Sequence, residues 1–144
     1  MLKSNSDGCS RNRGSGGFGG LLRDERGAWI CGYYGRLESC TNLEAELWAV
    51  YKGLAIIIQK AFNEVIVKMD AEKVVKLLEE GHGENHPFRG LVEDARIIFN
   101  SCQCTAQHVL REGNLCADAL AKFEAEQPEG IPDINDPQLK LGNC

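Results

Sequence analysis

The stretch GSGGFGGLLRDERGAWICGYYG, Gly14 to Gly35, decides how the chain folds. Its opening, Gly14 to Gly19, spells G-x-G-x-x-G, a pattern that seats a dinucleotide pyrophosphate when it follows a strand and opens a helix. Two apolar runs follow instead, on either side of Asp24-Glu25-Arg26-Gly27, and this reads as a turn joining strands near Phe18 to Arg23 and Ala28 to Arg36. A kinase-type glycine loop also lies between strands, but it needs a lysine on the next one, and Ala28 to Gly35 has none. The glycines therefore belong to a β-hairpin, and the fold begins antiparallel.

Downstream, TNLEAELWAVYKGLAIIIQK is the clearest helix. Thr41 and Glu44 make a capping box, and Leu43, Leu47, Val50, Leu54 and Ile57 recur at helical spacing with Glu46 beside the stripe. EVIVKM is a β-branched run that predicts a buried strand ending directly in Asp70. AEKVVKLLEEG gives a helix stopped by Gly81, HGENH a loop, and PFRGLVEDARIIFN a helix entered through Pro87. CTAQHVL alternates as a strand that includes His108, REGN turns, and NLCADALAKFEAE is a last helix capped by Asn114 with Asp118 in its second turn. Ahead of the hairpin, LKSNSDG is polar for a strand, with only Leu2 strongly apolar.

This order predicts an α/β domain over residues 1–126, with a five-stranded mixed sheet and helices on both faces. Its first three strands run antiparallel and its last two parallel. Residues 127–144 hold three of the four prolines without periodicity and are expected as a loose tail.

At 144 residues, 43% hydrophobic and 26% charged, the chain is sized for one soluble domain. No apolar run approaches the ~20 residues that cross a bilayer, so no membrane partner is expected. MLKSNSDGCS lacks the apolar core of a signal peptide, which points to an intracellular protein, expected as a monomer. The seven cysteines show no paired C-x-x-C spacing and read as small core residues and surface thiols. HGENH is not H-E-x-x-H, so His82 and His86 are assigned no zinc. A formal charge of -5 excludes nucleic-acid binding through global basicity and leaves only a local patch, such as Arg11, Arg13, Arg23 and Arg26.

Four carboxylates stand at comparable places: Asp7 by the first strand, Glu46 on the first helix, Asp70 at a strand end and Asp118 on the last helix. Each alone has a plain reading, as a turn residue, an exposed helix residue, an N-cap or a surface charge. Their flanks narrow the choice. NSDG, GSGGFGGLLRDERGAWI, TNLEAELWAV, VIVKMDAEKVVKLL and HVLREGNLCADALAKF occur in an order that resembles the ribonuclease H domain, most closely the plant version derived from retroelement reverse transcriptases. The resemblance covers roughly Leu2 to Glu126.

The resemblance implies a ribonuclease H-like fold and hydrolysis of the RNA strand of an RNA/DNA hybrid. It places the catalytic, metal-binding set on Asp7, Glu46, Asp70 and Asp118, with two Mg²⁺ ions, or Mn²⁺, as cofactors. Asp7 and Asp70 would flank both ions, Glu46 would hold the first and Asp118 the other. Gly8, Asn12, Arg13 and Asn42 are the implied substrate contacts, Asn42 toward the minor groove where 2′-hydroxyls mark the RNA strand. The chain would be part of, or descend from, a reverse transcriptase polyprotein. The chemistry agrees with this set, because two hard cations ~4 Å apart can serve both ends of an in-line phosphodiester displacement, and clustered acids need cations to relieve their repulsion.

Some features depart from the family pattern. REGN supplies no histidine in the loop before the last helix, the loop between the two middle helices is short and weakly basic, and Ser4 and Ser6 replace apolar strand residues. These departures sustain a second reading, a catalytically weak or inactive nucleic-acid-binding module derived from a retroelement.

Overall fold

A computed structural model describes residues 1–10, 15–110, 117 and 140–142. The elements are β1 (Lys3–Ser10), β2 (Gly16–Arg23), β3 (Trp29–Leu37), α1 (Asn42–Gln59), β4 (Ile66–Met69), α2 (Glu72–Glu80), α3 (Arg89–Ser101), β5 (Thr105–His108) and β6 (Lys140–Gly142). The sheet order is β5-β4-β1-β2-β3-β6. β1, β2 and β3 pair antiparallel, while β4 pairs parallel with both β1 and β5. These are the five strands and the mixed pairing expected from the sequence. A sixth, β6, is added antiparallel along the outer edge of β3, and it comes from the segment expected to be a loose tail. The helix expected over 114–126 lies outside the described residues except for Ala117, which is helical and fully buried.

β1 is the strand whose polarity argued against it, yet it is central and paired on both sides. Its ladder to β2 runs from Lys3↔Arg23 to Ser10↔Gly16, and Lys3, Ser4 and Asn5 also face Ile66, Val67 and Lys68 of β4. What β1 needs on its helix side is small residues rather than apolar ones. A Cβ on Gly53 of α1 would lie 3.4 Å from the Ser4 hydroxyl, so helix and strand backbones pack with little between them. Ser4 and Ser6 are accordingly buried, each 1% exposed.

The hairpin forms as read. The Asp24 carboxylate accepts from the N–H groups of Arg26 and Ala28, both at 2.9 Å, and Gly27 takes the left-handed conformation at φ 82°. The glycines within the strands make room for aromatic rings. A Cβ on Gly20 would lie 2.1 Å from the Tyr33 hydroxyl, and one on Gly35 would lie 2.2 Å from the Phe18 ring. Tyr33 and Phe18 are both fully buried and join Leu22, Leu47, Leu54 and Ile57 in the core between sheet and α1. The Tyr33 hydroxyl donates to the Ala49 carbonyl at 2.7 Å, and burial pushes its pKa up.

The reading of the cysteines as thiols holds for Cys9, Cys40, Cys102 and Cys104. Cys31 is a small core residue of β3, as that reading had it, but it is disulfide-bonded rather than a free thiol.

Candidate active site and metal centre

α1 begins where Thr41 Oγ1 accepts from the Glu44 N–H at 3.1 Å, one arm of the expected capping box. That start fixes the phase of the helix. Residues three, four, seven and eleven positions after Glu46, namely Ala49, Val50, Gly53 and Ile57, are all buried, so Glu46 lies on the inward face. It is held close to β1 by Gly8, because a Cβ there would collide with the backbone of Ala45 and Glu46 at 2.3 Å. The structure thus gives Gly8 a packing role in addition to any contact with substrate.

Asp7 and Asp70 are brought together by register. Lys3 faces Ile66 and Asn5 faces Lys68 in the parallel β1/β4 pair, and the same offset carried two residues further sets Asp7 alongside Asp70. Ligands in sheets of this kind bind beyond the carboxyl ends of parallel strands, and Asp70 stands just past the end of β4, with Asp7 beside it on β1. Asp70 is not used as a helix cap: α2 has Ala71 at its N-cap position, with no side-chain capping bond.

Asp7, Glu46 and Asp70 each offer a carboxylate oxygen, and these three atoms lie within 4.8 Å of one another. Asp7 is buried at 3% exposure, while Glu46 and Asp70 are half-buried, so the cluster opens to solvent on one side. Among the described residues no other trio of His, Cys, Asp or Glu is gathered this way. An all-oxygen, all-anionic donor set suits hard divalent cations such as Mg²⁺ or Mn²⁺ and disfavours zinc or copper. The residues present therefore fit the metal centre implied by the resemblance.

The other candidate residues divide by position. Asn42 is the first residue of α1, exposed, and one helical turn ahead of Glu46 on the same side. Asn12, Arg13 and Asp118 lie outside the described residues. His108 was read from the sequence as a strand residue; it ends β5, and its Nε2 lies 3.2 Å from the main-chain carbonyl oxygen of Asp70. Nothing in the local sequence signals this contact, which depends on β4 and β5 being neighbours.

Residues 5–124 match the family described as reverse transcriptase-like. An Arabidopsis thaliana protein provisionally named as a ribonuclease H protein is 37% identical over 124 residues, covering 85% of this chain and 20% of its own length. The chain thus spans about a fifth of that relative. Among solved structures, RNase H1 of the halophilic archaeon Halobacterium salinarum superposes with a TM-score of 0.79 at 26% identity, covering 85% of this chain and 96% of that one. LC11-RNase H1, isolated from compost and solved in complex with an RNA/DNA hybrid, gives a TM-score of 0.79 at 21% identity, covering 88% of this chain and 97% of that one.

Proposed function

The chain belongs to the reverse transcriptase-like family, as a ribonuclease H domain of the plant retroelement type, and from that premise we propose that it is a divalent-metal-dependent endonuclease cutting the RNA strand of RNA/DNA hybrids. The observation that carries the proposal is the convergence of Asp7 of β1, Glu46 of α1 and Asp70 just past the end of β4 onto a space 4.8 Å across. Uncompensated, such a cluster is unfavourable, since like charges at this range repel strongly in a partly buried setting.

Asp7, Glu46 and Asp70 would hold the ions, with Asp118 as a fourth ligand. Two bound Mg²⁺ or Mn²⁺ ions would supply an activated water and stabilise the leaving oxygen. The chain's own residues provide the rest. β1 carries Asp7 on rigid, paired backbone, β4 leads directly into Asp70, and Gly8 sets how far Glu46 stands from them. We assign Asn42, at the exposed start of α1, to the hybrid's minor groove, and Asn12 and Arg13 to its phosphates. We assign an RNA/DNA hybrid as the partner and read the domain as an intracellular monomer that is part of, or descends from, a reverse transcriptase polyprotein.

The test is cleavage of an end-labelled RNA/DNA hybrid by the purified chain with Mg²⁺, with Mn²⁺ and with chelator, beside Asp70→Asn. Metal-dependent cutting of the RNA strand that Asp70→Asn lacks is the expected result. Equal cleavage by both proteins marks a contaminant and overturns the proposal, and so does absence of cleavage with either ion.

A further inference from the structure

His108 stands where β4 gives way to α2. β4 ends at Met69 and α2 begins at Glu72, so Asp70 belongs to neither element. Its backbone is instead gripped from β5. His108 pairs in register with Met69, the Val109 N–H donates to the Met69 carbonyl at 2.9 Å, and His108 Nε2 approaches the Asp70 carbonyl at 3.2 Å. A carbonyl oxygen only accepts, so Nε2 carries the proton of this contact. Two consecutive carbonyls at the end of β4 are thereby held by donors from one neighbouring segment. The His108 ring is exposed, so core packing does not account for its placement.

We propose that His108 is a positioning residue for Asp70. By holding the carbonyl it fixes the peptide plane at the strand end, and so the direction in which the Asp70 carboxylate leaves the main chain toward Asp7 and Glu46. Without the bond, repulsion among the three acids swings Asp70 away and the cluster binds cations less well. His108 itself touches neither metal nor substrate in this scheme. The inference rests on reading the three acids as a divalent-metal site.

Mn²⁺ binding to the full chain, measured by titration calorimetry, tests it without any cleavage assay. The proteins are wild type, His108→Leu, His108→Gln and Asp70→Asn. Gln carries an N–H the same number of bonds from Cα as His Nε2 and should restore the contact. His108→Leu is expected to weaken Mn²⁺ binding about tenfold, the lower end of the loss that follows removal of an outer partner of a ligand, and His108→Gln to restore most of it. Should His108→Leu not fold, His108→Thr, which suits an exposed strand end, is expected to show the same weakening. Equal affinity in wild type and the Leu or Thr variant overturns the positioning role and leaves the metal site standing. Equal weakening in the Leu and Gln variants also overturns it, because the hydrogen bond is then not what matters. No Mn²⁺ binding by wild type overturns the metal-site reading, and this inference with it.

Discussion

Gly8 of β1 and Glu46 of α1 meet backbone to backbone: a Cβ on Gly8 would lie 2.3 Å from the Glu46 nitrogen. Neither side has a flexible group that can yield. Gly8→Ala must push α1 off the sheet, and overpacking of this kind costs about 1–3 kcal/mol. The same displacement carries Glu46 away from Asp7 and Asp70, and a shift of ~1 Å in a catalytic group can cost about two orders of magnitude in rate. Gly8→Ala is therefore expected to lower both the urea midpoint and the rate of hybrid cleavage. A variant with wild-type stability and only a raised KM would show that Gly8 serves substrate and not the helix.

A second close approach lies deeper in the core. The Tyr33 ring occupies the space over Gly20, and its hydroxyl donates to the Ala49 carbonyl at 2.7 Å. Tyr33→Phe keeps the packing and is expected to cost about 1 kcal/mol, the net worth of one buried hydrogen bond. Gly20→Ala collides with the Tyr33 hydroxyl and with the Asn5 carbonyl, and is expected to cost more. Denaturant melts of the two variants give the order. Burial raises the Tyr33 pKa, so alkaline titration of phenolate absorbance should leave one of the three tyrosines silent until the protein unfolds.

These two glycines also show where sequence reading stopped. The hairpin, the capped α1 and the strand ending in Asp70 were legible because each leaves a local mark: a D-x-x-G turn, a helical repeat, a β-branched run; the acids Asp7, Glu46 and Asp70 were legible as a set only through the resemblance that their flanks carry. The glycines were legible as a signal but not in their meaning. The space over Gly20 is filled by the ring of Tyr33, the first of the Tyr33-Tyr34 pair on the next strand, and only the register Gly20↔Tyr33 reveals it. The polarity of β1 misled because strand propensity describes half-buried, side-chain-rich surfaces, whereas Ser4 and Gly8 lie under a closely packed helix. β6 and the His108 contact are products of nonlocal pairing, on which three residues of local sequence carry no information.

Asp7 is the most buried of the three acids, at 3% exposure. Asp7→Asn keeps the shape and removes one charge from the cluster. In chelator the variant is expected to melt above wild type, by about 3 °C for a gain on the order of 1 kcal/mol in a chain of this size. Adding Mn²⁺ should reverse the order, since wild type gains stability from the bound ion and the variant loses most of that gain. Thermal melts with chelator and with Mn²⁺ check both halves, and a wild type that melts identically in the two conditions would contradict the expectation.

The α2–α3 loop carries a pH-sensitive contact away from the acids. His82 Nδ1 lies 2.8 Å from the Gly83 carbonyl oxygen, and Nε2 lies 2.9 Å from Glu93 Oε1 on α3. With a carbonyl on one nitrogen and a carboxylate on the other, both ring nitrogens do best as donors, which favours the imidazolium. The His82 pKa is raised accordingly, first by the Gly83 carbonyl and then by Glu93, with desolvation and the Arg89 charge opposing. A folded pKa above the unfolded value of about 6.5 means that the contact's stabilisation is fully present below about pH 6.5 and is lost as pH rises through the folded pKa. His82→Gln should therefore lie further below wild type in melting temperature at about pH 6 than at about pH 8. Glu93→Gln should bring the His82 ring titration, followed by NMR, back toward the ordinary histidine value, while the Gly83 contact keeps part of the rise. A melting difference between wild type and His82→Gln that stays flat across this range would mean that the ring is neutral in the folded protein and that Glu93 merely accepts a single hydrogen bond from it.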